Sequence, residues 1–172
     1  MSEKMYAEEE LVREVRAANI VRGKWFALLA KHIPAEIFDE AAKKACWEFG
    51  LSRKEAAGGE CGSSIPMAEY FASGASAKVF QCEILEKSPE KTHLHIGSCP
   101  LVEGFRQVGC TPEQIAHYCD LICNGDYGTA DSVGLTCTFV ELIAHGGKVC
   151  DMTLALKNKK HPTRGRSVKK WT

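Results

Sequence analysis

Apolar residues recur every three or four positions along the first third of the chain, a spacing typical of amphipathic helices. The first stripe predicts a helix over about residues 5–31, in which Arg22 interrupts the stripe and Gly23 marks a break or kink. Pro34 and Gly50 suit the start and the C-terminal end of a second helix. The apolar positions are Leu11, Val15, Ala18, Trp25 and Leu29 in the first helix and Phe38, Ala42, Ala45 and Phe49 in the second.

The pattern changes after the second helix. Glycine and other small residues between Leu51 and Ser64 predict a loop, either a plain surface connection or a lid over a pocket. Ser64 and Pro66 then suit the start of a short helix that runs through Phe71 and that Gly74 ends.

Alternating apolar and polar residues then predict β-strands, joined in two hairpins. In the first strand, Phe80, Cys82 and Ile84 share one face. The first hairpin pairs residues 78–86 with 92–98, and the second pairs 135–144 with 149–157 through a turn containing two glycines.

Two helices are predicted between the hairpins. One begins at Pro100 and ends near Gly109. The other follows a capping box, with Thr111 as N-cap and Gln114 three residues later, and runs to about Asn124.

This order of elements predicts an α+β fold: an antiparallel four-stranded sheet of two hairpins separated by two helices, with helices packed on one face and an N-terminal helical extension. Three regions are expected. Residues 1–74 form the helical extension, 75–157 the α+β core with the candidate site, and 158–172 a basic, flexible tail.

Charge and composition narrow the function classes. The 22 basic and 22 acidic residues balance, and no nucleic-acid-binding fold precedes the basic end, so no nucleic-acid partner is expected. No apolar run reaches about 18 residues, and the acidic N-terminus lacks the apolar core of a signal peptide. We therefore expect a cytoplasmic protein with no membrane partner. In that compartment the nine cysteines are expected to be free thiols.

Cys99 is the most informative of these cysteines. It leaves a strand and, with Pro100 next, lies at the N-terminus of a helix, where unpaired N–H groups and the helix dipole stabilise an anion. Such a position is expected to lower the pKa of a thiol and supply a nucleophilic thiolate. The alternative is a cysteine packed at a strand–helix corner.

Cys119, Cys123 and Asp126 follow at spacings that place them on one helical stripe. Three alternatives are open for Cys119 and Cys123: they bind a metal such as zinc, one of them acts together with Asp126, or they are core residues. Asp126 is expected to act as an acid or base, or to cap a loop at residues 125–128.

Other residues are weaker candidates. Thr136 and Thr138 share one face of a strand and are expected to bind substrate, although the periodicity does not say whether they or Cys137 face a pocket. His93 and His95 have a spacing that metal sites use, but their position beside Gln81 and Glu83 favours solvent exposure. Signatures of serine-triad, dinucleotide, P-loop and zincin enzymes are absent from the sequence.

Three motifs in the second half carry a family resemblance. They are the tripeptide Cys99-Pro100-Leu101, the helix end with Cys119, Cys123 and Asp126, and the closing strands with Thr136-Cys137-Thr138 and Gly146-Gly147-Lys148-Val149-Cys150. Over about residues 75–157 they resemble the L-2-amino-thiazoline-4-carboxylic acid hydrolase family. They are also similar to 4-vinyl-reductase-type small-molecule-binding domains.

The first resemblance implies a hydrolase that opens a small cyclic amidine or thioimidate, such as an aminothiazoline carboxylate, with Cys99, Cys119, Asp126 and Cys150 in the family pattern. We expect Cys99, Cys119 and Asp126 to be catalytic and Cys123, Thr136 and Thr138 to contact the substrate. No cofactor and no metal are expected in this site. Either a thiolate attacks the C=N carbon while Asp126 transfers protons, or Asp126 activates water and the cysteines shape the pocket.

The alternative is a non-catalytic sensor domain that binds a small molecule or a metal. A third reading is an interaction module, in which Trp25 and Trp47 lie in the core or form the surface of a homodimer.

Overall fold

A computed structural model of the chain describes residues 7–157. The helices are α1 (Glu8–His32), α2 (Ala35–Leu51), α3 (Ile65–Phe71), α4 (Gly74–Phe80), α5 (Pro100–Gln107), α6 (Pro112–Ile122) and α7 (Asn124–Ser132), with a short 3-10 turn at Ile143–His145. The strands are β1 (Cys82–Lys87), β2 (Lys91–Ile96), β3 (Leu135–Glu141) and β4 (Cys150–Leu156). The predicted basic tail, 158–172, lies outside the described residues.

The sheet confirms the predicted α+β class. Its strand order is β1-β2-β4-β3 and every neighbouring pair is antiparallel, so two hairpins lie side by side. Leu94, Met152 and Leu154 are fully buried on the inner face. They pack with Met67 and Val133 from the helical segments in one apolar cluster.

A second apolar cluster lies among the helices. Ala27 and Phe38 from α1 and α2 pack with Phe105, Tyr118 and Leu121 from α5 and α6. The division at residue 74 stays a prediction. Trp25 is 65% exposed, which excludes the predicted core position and leaves the interface interpretation as a prediction.

The predicted break at Gly23 is wrong, because α1 is continuous from Glu8 to His32. Gly23 is buried against α5, and a Cβ there would overlap the carbonyl of Leu101. Gly104 on α5 likewise meets the backbone at Ile20. Both glycines therefore serve the close approach of two helices.

Three parts of the fold differ from prediction. Gly74 begins α4, a helix that was not predicted, residues 78–80 end α4 instead of starting β1, and Gln81 caps α4 in the left-handed conformation with φ of 53°. The strand predicted over residues 135–144 ends at Glu141, and Ile143–His145 form a 3-10 turn. The expected loop at residues 125–128 is part of α7, a third helix between the hairpins. Its glycines let α7 approach α2, since a Cβ on Gly128 would overlap the carbonyl of Trp47.

None of the helices within residues 7–157 combines the length and the apolar character that crossing a bilayer requires.

Candidate active site

A cavity of about 870 Å³ lies between the helices and one end of the sheet, a volume within the range of small-molecule sites. A chamber of about 80 Å³ adjoins it. The two share part of their walls, and among residues 7–157 Asp126 is the only charged residue in that shared part. The shared lining consists of Phe80, Ile96, Leu101, Ile122 and Asp126.

Asp126 lies in the first turn of α7, which excludes the predicted role of capping a loop. Its side chain is 26% exposed, and its Oδ1 is 3.9 Å from Nη1 of Arg53. Burial raises the pKa of Asp126 to about 6, because desolvation outweighs the attraction of the Arg53 and Arg22 charges. A carboxylate with this pKa can accept and return a proton near neutral pH.

Two arginines line the large cavity beside this carboxylate. Arg53 donates from Nε to the Tyr70 hydroxyl at 3.0 Å, and its guanidinium carbon lies 5.2 Å from the ring centroids of Phe49 and Tyr70. The guanidinium of Arg22 lies 5.6 Å from the Phe49 ring. The aromatic rings hold both cations toward the cavity, where a substrate carboxylate can bind them.

Neither arginine was predicted to lie in the site. Arg22 carried a signal, because it interrupts the apolar stripe of α1. Arg53 lies in the segment that was predicted as a loop. It reaches the cavity through a contact with Tyr70, which the local sequence does not show.

Cys99 is the N-cap residue of α5, as predicted. The predicted low thiol pKa is wrong. Burial raises the pKa of Cys99 to about 11, although hydrogen bonds from the backbone N–H groups of Val102 and Leu101 act in the opposite direction. Desolvation of the thiolate outweighs the capping position.

The small chamber brings together the other predicted cysteines. Cys99, Cys119 and Cys123 all line it with Asp126. The sulfurs of Cys119 and Cys123 are 3.9 Å apart, and the hydrogen bond between them, together with burial, raises the pKa of Cys123 well above its usual value. Among residues 7–157, these side chains do not form a three-ligand metal group.

The two predicted threonines lie elsewhere. Thr136 and Thr138 are exposed on β3, and neither lines the cavity or the chamber. Thr136 donates its hydroxyl proton to the carbonyl of Ala155. Cys137 faces the opposite side of the strand, and burial raises its pKa well above the usual value.

Comparison with known proteins shows a family and a fold. Residues 13–154 match the family described as L-2-amino-thiazoline-4-carboxylic acid hydrolase. A solved structure of trafficking protein particle complex subunit 3 from Naegleria fowleri, covalently bound to palmitic acid, superposes with a TM-score of 0.56 at 14% identity. It covers 83% of this chain and 97% of its own. None of the curated proteins matches the sequence.

Proposed function

Because the chain belongs to the L-2-amino-thiazoline-4-carboxylic acid hydrolase family, we propose that it hydrolyses a small cyclic amidine or thioimidate that carries a carboxylate. The observation that carries the proposal is the placement of Asp126. This carboxylate lies in the wall between cavity and chamber, has a pKa of about 6 and faces two arginines.

The charges of the cavity complement such a substrate. A carboxylate on the ring would bind Arg22 and Arg53, which line the large cavity. The amidine or thioimidate group would then lie against Asp126. The apolar lining of the small chamber, which includes Ile96 and Phe139, accepts the ring and keeps bulk water away.

Asp126 acts as the general base in this proposal. It takes a proton from water as the water oxygen attacks the C=N carbon, and a tetrahedral intermediate forms. Asp126 returns this proton to the ring nitrogen. For an aminothiazoline carboxylate, Asp126 then takes the proton of the added hydroxyl as the C=O bond forms and the ring C–S bond breaks, and it passes that proton to the leaving sulfur. The product is a carbamoyl-cysteine, and the carboxylate is regenerated.

Water is the nucleophile in this mechanism. The pKa of about 11 for Cys99 leaves almost no thiolate at neutral pH. Cys99, Cys119 and Cys123 therefore shape the small chamber around the ring. A covalent route through Cys99 or Cys119 is tested by their serine variants.

Turnover by the purified full-length chain tests the proposal. The protein is incubated with L-2-amino-thiazoline-4-carboxylate, and carbamoyl-cysteine is measured by mass spectrometry. Asp126→Asn is expected to lower kcat by at least about 100-fold. Asp120→Asn is the matched control, because this carboxylate pairs with His145 and lies outside both cavities. Equal turnover by wild type and Asp126→Asn would contradict the proposal.

The size of the cavity favours a second candidate function, the binding of a larger apolar carboxylate without hydrolysis. A five-membered ring fills only a small part of 870 Å³. The fold neighbour carries covalent palmitic acid, but at 14% identity this property belongs to that protein alone. Binding of palmitate that requires Arg53, together with no turnover of any aminothiazoline, would support the second candidate.

A further inference from the structure

The outer face of the sheet carries a cluster that the proposed hydrolysis does not use. His93 and His95 lie on β2, and Asp151 lies on β4 directly opposite His95. Nε2 of His93 is 2.7 Å from Oδ1 of Asp151, and Nε2 of His95 is 3.6 Å from Oδ2. The two carboxylate oxygens thus approach one imidazole each.

These three groups offer one ligand atom each within 4.8 Å of one another. Imidazole nitrogen and carboxylate oxygen are ligands of Zn²⁺ and other first-row divalent cations, at bond lengths of about 2.0–2.2 Å. Ligand atoms around such a tetrahedral ion lie roughly 3.3 Å apart, so small side-chain rotations would close the set. We propose that His93, His95 and Asp151 bind a divalent transition-metal ion of the zinc class.

The surroundings leave room for the remaining coordination. The three side chains are 25%, 33% and 23% exposed, which permits a water ligand. Glu83 is the register partner of His95 on β1 and offers a further carboxylate nearby.

Two other histidine–aspartate pairs differ from this cluster in the number of imidazoles. His117 bonds to Asp39 at 2.9 Å, and His145 bonds to Asp120 at 2.8 Å. Each has a single imidazole and a single carboxylate. Within the described part of the chain, the sheet cluster alone supplies two imidazoles to one carboxylate.

The metal would join the two hairpins, because β2 belongs to the first and β4 to the second. It lies on the face opposite Leu94 and Met152, and its ligands line neither the cavity nor the chamber. We expect it to hold the sheet together rather than to take part in hydrolysis. The inference is thus independent of the proposed function.

The test uses the full chain after treatment with a chelator. Calorimetry with Zn²⁺ and absorption spectra with Co²⁺ are recorded for the wild type, His93→Gln, His95→Gln and Asp151→Asn. His117→Gln is the matched control. We expect one ion per chain, a Co²⁺ spectrum without a thiolate charge-transfer band, at least tenfold weaker binding in each cluster variant, and unchanged binding in the control.

Thermal unfolding provides a second readout. Zn²⁺ should raise the Tm of the wild type and of His117→Gln, and leave the Tm of the cluster variants unchanged. If a cluster variant fails to fold, the Co²⁺ absorption spectrum of the wild type still shows whether imidazole and carboxylate or thiolate groups bind the metal. No binding, or a strong thiolate band from cysteine ligation, would overturn the assignment.

Discussion

The guanidinium of Arg53 lies 3.9 Å from the carboxylate of Asp126, but its attraction does not offset the free-energy cost of desolvating that carboxylate. Arg53 is half-buried and held by Phe49 and Tyr70, so its attraction lowers the carboxyl pKa while desolvation raises it. The net pKa of about 6 leaves Asp126 ionised at neutral pH, yet basic enough to take a proton from water.

Asp126→Asn should stabilise the protein while abolishing turnover. The folded pKa of about 6 exceeds the ordinary value of 3.8. Ionised Asp126 therefore costs stability, and this cost grows as the pH rises from about 4 to 6 and is constant above that range. At 1.4 kcal/mol per pKa unit it amounts to about 3 kcal/mol.

Thermal unfolding checks this difference. The Tm of Asp126→Asn should exceed that of the wild type by several degrees at pH 7.5, and the difference should shrink at pH 4. An Asp126→Asn variant that is less stable than the wild type at pH 7.5 would show that hydrogen bonds and ion pairs compensate for burying the ionised carboxylate.

Removing an arginine should weaken substrate binding more than chemistry. Arg22→Gln and Arg53→Gln each remove one partner of the substrate carboxylate, which should raise KM by about 10- to 100-fold. Steady-state kinetics with an analogue that lacks the carboxylate provide the control. If both variants lost as much affinity for that analogue as for the substrate with the carboxylate, the arginines would have a structural role instead.

Cys99→Ser should keep most of the wild-type turnover, since burial raises the pKa of this thiol to about 11. Cys119→Ser is the parallel variant at the other predicted nucleophile. Loss of more than about 100-fold in either, with a substrate adduct on the wild-type protein in intact mass spectra, would establish covalent catalysis.

The rate of cysteine alkylation should follow the solvent exposure of each thiol. Cys61 is the exposed cysteine of the nine, and Cys123 and Cys150 are buried. Iodoacetamide at pH 7.5 should therefore label Cys61 first, as read by peptide mass spectrometry. Fast labelling of Cys99 in a Cys61→Ser protein would contradict the raised pKa.

Gly23→Ala should destabilise the fold. Helix propensity alone favours alanine by about 1 kcal/mol, but a Cβ here would overlap the backbone of α5. Overpacking of this kind costs about 1–3 kcal/mol. Urea unfolding checks the sign, and a more stable variant would show that α1 can move away from α5.

Local patterns predicted much of the fold. The sequence predicted that His93 and His95 lie outside the core, and the structure places them on the sheet face opposite buried Leu94. The capping box at Thr111 is also confirmed. The α7 helix was missed because its glycines resemble a loop, whereas their role is the close contact with α2.

The candidate site was predicted less completely, because its burial and its contacts come from residues that are distant in sequence. Cys99 was placed correctly at a helix N-terminus, but the burial that raises its pKa comes from neighbours distant in sequence. Arg53 reaches Asp126 from a segment 73 positions earlier. Likewise, Asp151 joins His93 and His95 only through the register of β2 with β4.

The pH dependence of kcat/KM for the wild type and Arg53→Met tests the central claim most directly, since it reports the pKa of the essential base in the free enzyme. Activity of the wild type should rise with pH through an inflection near 6. Because Arg53 lowers the pKa of Asp126, the inflection in Arg53→Met should move to higher pH. An inflection that stays in place, or a wild-type profile without one in this range, would contradict the role of Asp126 as general base.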